Sequence, residues 1–409
     1  MAVLVALACA CLGAAAQTNP YSIGASQTFS HESNLLRLST VQATPAGYSQ
    51  GDTVSSTALL AGFDQGFGRQ RASANLALRA NRYSNNSLFN NTSYSANTGL
   101  AWQTIERLSG TLTASANRSL QLLNTQELGF SSRRNLESVE TLGASASLGL
   151  VTQYTLELSG GHRQARNSLQ EPNVQAREFQ QDNVSLGLRW RPRAATTLGL
   201  ALGTTQGRYP KFRANAAGGF DADRFKRTDI ELSATLAPAG ANTVEAHINS
   251  GKTRYDLNEQ RNFSGITGSL AWAWQPTGKL RLNTSLSRDT GQDSYATAVF
   301  NVPATSDYSR ITSSLRTTLN YDFSAKVSFV TSLTYYDRAL VRTIANPFLP
   351  LNAQGKERTT TLSLGARWSP LRFAQFGCDI NRENRNGSGE LTSDLRANSF
   401  SCFGQINLQ

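Results

Sequence analysis

Between Asn183 and Arg191 the chain alternates without a break: Val184, Leu186, Leu188 and Trp190 are interleaved with Asn183, Ser185, Gly187, Arg189 and Arg191. A two-residue period sends the two sets to opposite faces of a β-strand, one apolar and one polar. The text "SLGLRWRP" at Ser185–Pro192 returns as "SLGARWSP" at Ser363–Pro370, with Leu362, Leu364, Ala366 and Trp368 set against Thr361, Ser363, Gly365 and Arg367. Leu76, Leu78 and Ala80, and Ile230, Leu232 and Leu236, repeat the pattern. Such runs lie near 19–31, 51–64, 69–83, 92–102, 106–118, 137–151, 153–166, 179–191, 194–206, 223–237, 241–254, 261–275, 278–291, 307–322, 325–338, 356–369, 371–383 and 395–408. Each is long enough for a tilted membrane strand of roughly 9–11 residues.

The connections alternate too. After a first long one (32–50), short turns such as "DQGFGR", "TIE", "TQ", "RPRA", "PAGA", "PTGK", "FSAK" and "SPL" take turns with polar stretches at 119–136, 167–178, 207–222, 292–306, 339–355 and 384–394. The expected fold is therefore all-β: a transmembrane antiparallel β-barrel of about 18 strands (16–18), with short periplasmic turns, long extracellular loops and both termini in the periplasm. A secreted β-sandwich or β-helix also alternates, but it need not alternate its loop lengths. No fixed repeat of the solenoid kind is present.

No segment after Gln17 approaches the eighteen or so consecutive apolar residues of a transmembrane helix, and most of the 39% hydrophobic residues stand singly among polar ones. The opening "MAVLVALACACLGAAAQ" has the apolar stretch and small-residue ending of a secretory signal. The expected organisation is a signal peptide at 1–16 and one barrel domain at 17–409. The net charge of +11 suits anionic partners, acidic polysaccharide or lipopolysaccharide phosphate, and equally suits Lys and Arg at membrane rims.

Trp190 and Trp368 close their strands before a short turn, and Trp102, Trp272 and Trp274 stand at corresponding ends, so all five tryptophans form an aromatic girdle at one membrane rim. Pro192 and Pro370, lacking an N–H, are expected to end the ladder. Parity turns Arg71, Arg79, Arg189, Arg191, Arg281, Arg310, Arg316 and Arg367 into the lumen, with Glu157, Asp229, Glu231 and Glu245 as acidic counterparts. Such arginines lower the barrier for anions along a pore, or else pair with lumen carboxylates and brace the wall.

Enzyme chemistry is not expected. His31, His162 and His247 are the only histidines, and no metal-ligand spacing, phosphate loop or dinucleotide fingerprint is present, so no cofactor or metal is foreseen. His247 beside Glu245 suits a solvated wall better than a general base. Cys378 and Cys402 lie on the last two strands at near-opposite positions; the leading reading is a disulfide in an oxidising envelope, the other two unpaired small residues.

"SIGASQTFSHESNLLRLS", the N-L-L-R-L segment at Asn34–Leu38, "FGRQR" at Phe67–Arg71 and the W-x-x-x-x-x-R-L-S-G spacing at Trp102–Gly110 resemble the exosortase-associated outer-membrane barrels called EpsL. The resemblance implies an outer-membrane channel for biosynthesis or export of extracellular polysaccharide. Its partners would be outer-membrane lipid, the polysaccharide and periplasmic export components, not nucleic acid. Two alternatives stand beside it, a structural or sugar-binding barrel with a plugged lumen that scaffolds the export machinery, and a general diffusion porin. No face in the sequence marks an oligomer interface.

Overall fold

A strand with one apolar face satisfies its backbone only by pairing along both edges, and this chain does so by closing on itself. The computed structural model describes residues 19–121, 124–125, 129–130, 133–151, 153–215, 217–238, 241–257, 262–289, 309–344, 351–389 and 392–408; the expected signal segment 1–16 lies outside them. The first half of the barrel comprises β1 (Tyr21–Glu32), β2 (Asp52–Phe67), β3 (Gln70–Tyr83), β4 (Asn91–Gln103), β5 (Leu108–Leu120), β8 (Leu136–Val151), β9 (Tyr154–Asn167), β10 (Phe179–Arg193) and β11 (Thr196–Ala214). The second comprises β12 (Phe220–Leu236), β13 (Asn242–Tyr255), β14 (Phe263–Thr277), β15 (Leu280–Asp289), β16 (Ser309–Asp322), β17 (Val327–Ile344), β18 (Leu351–Leu371), β19 (Ala374–Gly389) and β20 (Leu395–Leu408). A small hairpin, β6 (Asn124–Thr125) with β7 (Gly129–Phe130), forms a separate two-stranded sheet in the β5–β8 connection.

All eighteen barrel strands belong to one sheet, and β1 pairs with β20 as well as with β2. That seam runs antiparallel from Ile23↔Leu408 to Glu32↔Ser399. The expected eighteen-stranded antiparallel barrel is the fold observed. Its short turns and the ends of β1 and β20 share one rim, and its longer connections share the other.

Parity holds around the wall. Leu186, Leu188, Leu200, Leu202, Ile230, Leu232 and Ile248 are exposed on the outside, between 43% and 57%, as a face turned to hydrocarbon is when no lipid is present. Interior-facing neighbours are small and polar. Ser159 and Ser185 share a hydrogen bond at 2.7 Å, as do Ser287 and Ser314. Among the described residues a cluster of buried apolar side chains, Leu36, Leu38 and Phe89, lies outside the wall's alternation, at the long-loop end.

The recurrent tryptophan–proline text is a bulge. Pro192 and Pro370 do not end their strands: β10 runs to Arg193 and β18 to Leu371, and the register shifts between Trp190 and Arg193 and between Trp368 and Leu371. A bulge is where a strand tolerates a residue without an N–H. The residue after each tryptophan keeps the ladder: Arg191 N–H donates to Gln153 O and Ser369 N–H to Lys326 O, each at 2.8 Å. Trp274-Gln275-Pro276 is a third copy, with the same shift before Thr277 and Gln275 N–H on Ala241 O at 2.8 Å.

Three expected loops are strand. Much of 207–222, 339–355 and 384–394 continues β11, β12, β17, β18 and β19 beyond the apolar band. The faces there are polar or mixed, so pairing persists without a regular hydropathy contrast. Pro210 again sits at a shift, between Tyr209 and Arg213. Cys378 and Cys402 are register partners across β19 and β20, bonded, with Cα atoms 4.1 Å apart. They occupy the outward parity of Phe376, Ile380 and Phe400.

The two faces make a direct prediction. Leu186→Arg, on the outside, should destabilise the vesicle-inserted barrel by about 2–4 kcal/mol in a urea titration, whereas Ser185→Arg, on the inside, should cost less than about 1 kcal/mol.

Candidate functional site

The candidate site is the lumen, and its chemistry is set by how each arginine is answered. Arg71 pairs with Asp64 at 2.5 Å, Arg189 with Glu157 at 2.7 Å, Arg281 with Asp322 at 2.8 Å and Arg367 with Asp379 at 2.7 Å. All four pairs lie within a few residues of a short turn, so they ring the rim that carries both termini. Arg367 is held further by the carbonyl oxygens of Ala366 and Cys378 and lies 5.1 Å from the Phe403 ring centroid. Glycine makes room for such pairs: a Cβ at Gly365 would collide with the Asp379 carboxylate, and one at Gly203 would crowd Asp229.

Arg79, Arg191 and Arg316 make no ion pair among the described residues. Arg79 and Arg191 are exposed and Arg316 is half-exposed at mid-height, opposite Ser285 and Thr334. The Arg310 side chain lies outside the described residues. Each ion pair cancels its own charge at a distance, so the paired arginines add little net field. Among the described residues the unpaired Arg79, Arg191 and Arg316, set against the unpaired Glu245, leave it positive. Among the expected acids, Glu157 takes Arg189, Asp229 takes Arg227 and Glu231 takes His247 at 2.9 Å; His247 does not pair with Glu245.

The mouth at the long-loop end is more tightly built. The 33–51 connection is pinned by Asn34, whose side-chain oxygen accepts from Leu38 N–H at 2.9 Å and whose amide donates to Leu38 O at 2.8 Å. Leu36 and Leu38 are thereby buried, while Arg37 takes a left-handed backbone, φ 51°, and reaches Glu383 on the inner face of β19. Nearby, Glu357 lies between Arg338 at 3.5 Å and Arg385 at 3.7 Å. On the opposite wall an aromatic row crosses four strands: Phe179–Tyr209 at 6.1 Å, Tyr209–Phe225 at 6.0 Å and Phe225–Tyr255 at 5.3 Å between centroids. Phe225 and Tyr255 are buried; Phe179 and Tyr209 are half-buried, and the Arg163 guanidinium lies 5.5 Å over the Phe179 ring.

All five tryptophans take the outward parity near short turns. Tyr154 stacks on Trp190 at 6.5 Å, Trp272 on Trp274 at 5.8 Å, and Trp368 meets Phe376 at 5.6 Å. Trp102 is the penultimate residue of β4, opposite Gly110. Among the described residues no group of three or more His, Cys, Asp or Glu side chains is placed to hold a metal ion. Sequence reasoning missed Asp64, Asp322, Asp379 and the Arg37, Glu357, Glu383 and Arg385 cluster. The hairpins held the signal for the first three, because a tight turn fixes which residues face one another.

Asn34→Ala should release the 33–51 connection. Limited trypsin digestion of the folded barrel should then cut after Arg37, a bond that resists in the unaltered chain.

No family model and no curated protein matches the chain. Among solved structures, OccK2 (OpdF) of Pseudomonas aeruginosa is similar over 95% of this chain and 97% of its own, at 13% identity and a TM-score of 0.50. The outer membrane protein opdK of the same organism covers 95% of this chain and 99% of its own, at 12% identity and a TM-score of 0.49. At such identity the OccK2 likeness bears on the fold alone, and the shared fold is that of an outer-membrane β-barrel.

Proposed function

We propose that the protein is a passive channel in the outer membrane of a Gram-negative bacterium, a diffusion porin for small hydrophilic solutes that favours anions. The observation that carries this reading is the lumen's charge pattern: Arg79, Arg191 and Arg316 stand without carboxylate partners among the described residues, on a wall where the other expected lumen arginines with described side chains are each paired with an acid. An eighteen-stranded barrel is wide enough for an aqueous lumen. Unpaired guanidinium groups lower the electrostatic barrier for a hydrated anion without binding it tightly. Nothing is transformed; a concentration gradient drives the flux.

A second reading is a conduit for extracellular polysaccharide, as the EpsL resemblance implies. It is favoured by the Phe179–Tyr209 pair at the outer mouth, partly exposed and with the Arg163 guanidinium 5.5 Å over the Phe179 ring, an aromatic and cationic surface that suits an acidic sugar. Periplasmic export components would then dock at the short turns.

Recording in planar bilayers across a KCl gradient tests the first reading. The wild type should conduct steadily with chloride preferred over potassium. Arg79→Gln/Arg316→Gln should move the reversal potential toward cation selectivity, and Asp379→Asn, which frees Arg367, should move it the other way. A silent wild type would favour the plugged scaffold. Accumulation of periplasmic polymer in a deletion strain would favour the export conduit.

A further inference from the structure

Outside the barrel, just above the apolar band, strands β11, β12 and β13 present Arg208, Arg224, Lys226, Lys252 and Arg254, all exposed and all on the parity of the outward leucines. Register brings them into one patch. Arg208 faces Arg224 across β11–β12, and Lys226 faces Arg254 across β12–β13 with Lys252 one outward step below. Among the described residues none of the five has an acidic partner. Asp182, the acid on the same outward face of β10, is taken by His162 at 2.7 Å. Arg208 is steadied by the Gln180 side-chain oxygen at 2.9 Å.

Height narrows what can neutralise them. Lys226 lies ten residues along β12 from Leu236, and Arg254 ten along β13 from Val244, the register partner of Leu236. A strand rises about 3.3 Å per residue, and a tilt of about 40° turns ten residues into about 25 Å, the height of the apolar band. Lys226 and Arg254 therefore stand at the edge of the hydrocarbon farthest from the short turns, with Lys252 about 5 Å below them and Arg208 and Arg224 about 5 Å above. Asp256, exposed on the same face and opposite Arg224, answers at most one of the five cations; the rest repel unless something neutralises them, and what lies against this face at this height is a lipid headgroup. The exposed Gln206 and Thr228, which border Lys226 and Lys252, add hydrogen-bonding groups suited to a sugar.

We infer that this patch binds a phosphorylated glycolipid of the outer leaflet, a lipid of the lipid A type, with its phosphates on Lys226, Lys252 and Arg254. The inference rests on the membrane reading above, with short turns in the periplasm, but not on what passes through the lumen. The commitment to a glycolipid, rather than to any anionic lipid, follows from the side of the membrane and from the sugar-directed polar groups.

The test titrates the detergent-folded full chain with diphosphorylated lipid A, with lipid A stripped of phosphate, and with phosphatidylglycerol, and counts bound lipid by native mass spectrometry. The unaltered barrel should retain diphosphorylated lipid A in preference to both others. Each cation near an anionic lipid surface contributes on the order of fivefold, so Lys226→Gln/Lys252→Gln/Arg254→Gln should weaken binding on the order of a hundredfold. Heat-dependent gel mobility verifies folding. Should the triple variant not fold, Lys226→Gln and Lys252→Gln separately should each lose about fivefold. Equal retention of the dephosphorylated lipid, equal retention of phosphatidylglycerol, or variants that bind like the wild type would each overturn the assignment. Bilayer conductance of the same preparations keeps the channel reading separate, since it should not change in these variants.

Discussion

Everything in this structure depends on one seam. Hydrocarbon offers no partner to a backbone N–H or C=O, so a sheet crosses a membrane only if it has no edge. Here the first strand meets the last, from Ile23↔Leu408 to Glu32↔Ser399. With both edges of every barrel strand used, the side chains are free to divide by parity alone. Outward positions then solve the problem of lipid, and inward positions hold the chemistry.

Inward, the wall carries more arginine than it displays. Asp64, Glu157, Asp322 and Asp379 answer Arg71, Arg189, Arg281 and Arg367 close to the short turns, where the ring of pairs stiffens the mouth with little net charge. Gly365 shows how tightly such a pair is accommodated, since any side chain there would displace the Asp379 carboxylate. Among the described residues Arg79, Arg191 and Arg316 go unanswered, and the unpaired positive charge of the lumen belongs to those few residues.

The faces and the strand number were legible because leucine and serine alternate with the period of the backbone itself. The reading failed where contrast ended. Above the lipid, Gly355-Lys356-Glu357-Arg358 in β18 is polar or mixed on both faces yet pairs as strand, and β11 runs on to Ala214 through an irregularity at Lys211-Phe212. The Trp-x-Pro segments look like stops because proline lacks a donor, but a bulge absorbs that lack two residues before the turn. Lumen partners such as Arg37 and Glu383, far apart in sequence, come together only through β1–β20 closure and the folding of the 33–51 connection. Periodicity carries no such register.

The bond between Cys378 and Cys402 faces outward among Phe376, Ile380 and Phe400, and that position orders events in time. Thiol oxidation and exchange proceed through a thiolate, an ion that hydrocarbon does not support. The bond must therefore be made while β19 and β20 are still in water, before their apolar faces meet lipid. The last hairpin thus reaches the membrane with its alignment already locked, and the strand that completes the closing seam arrives as half of a covalent unit.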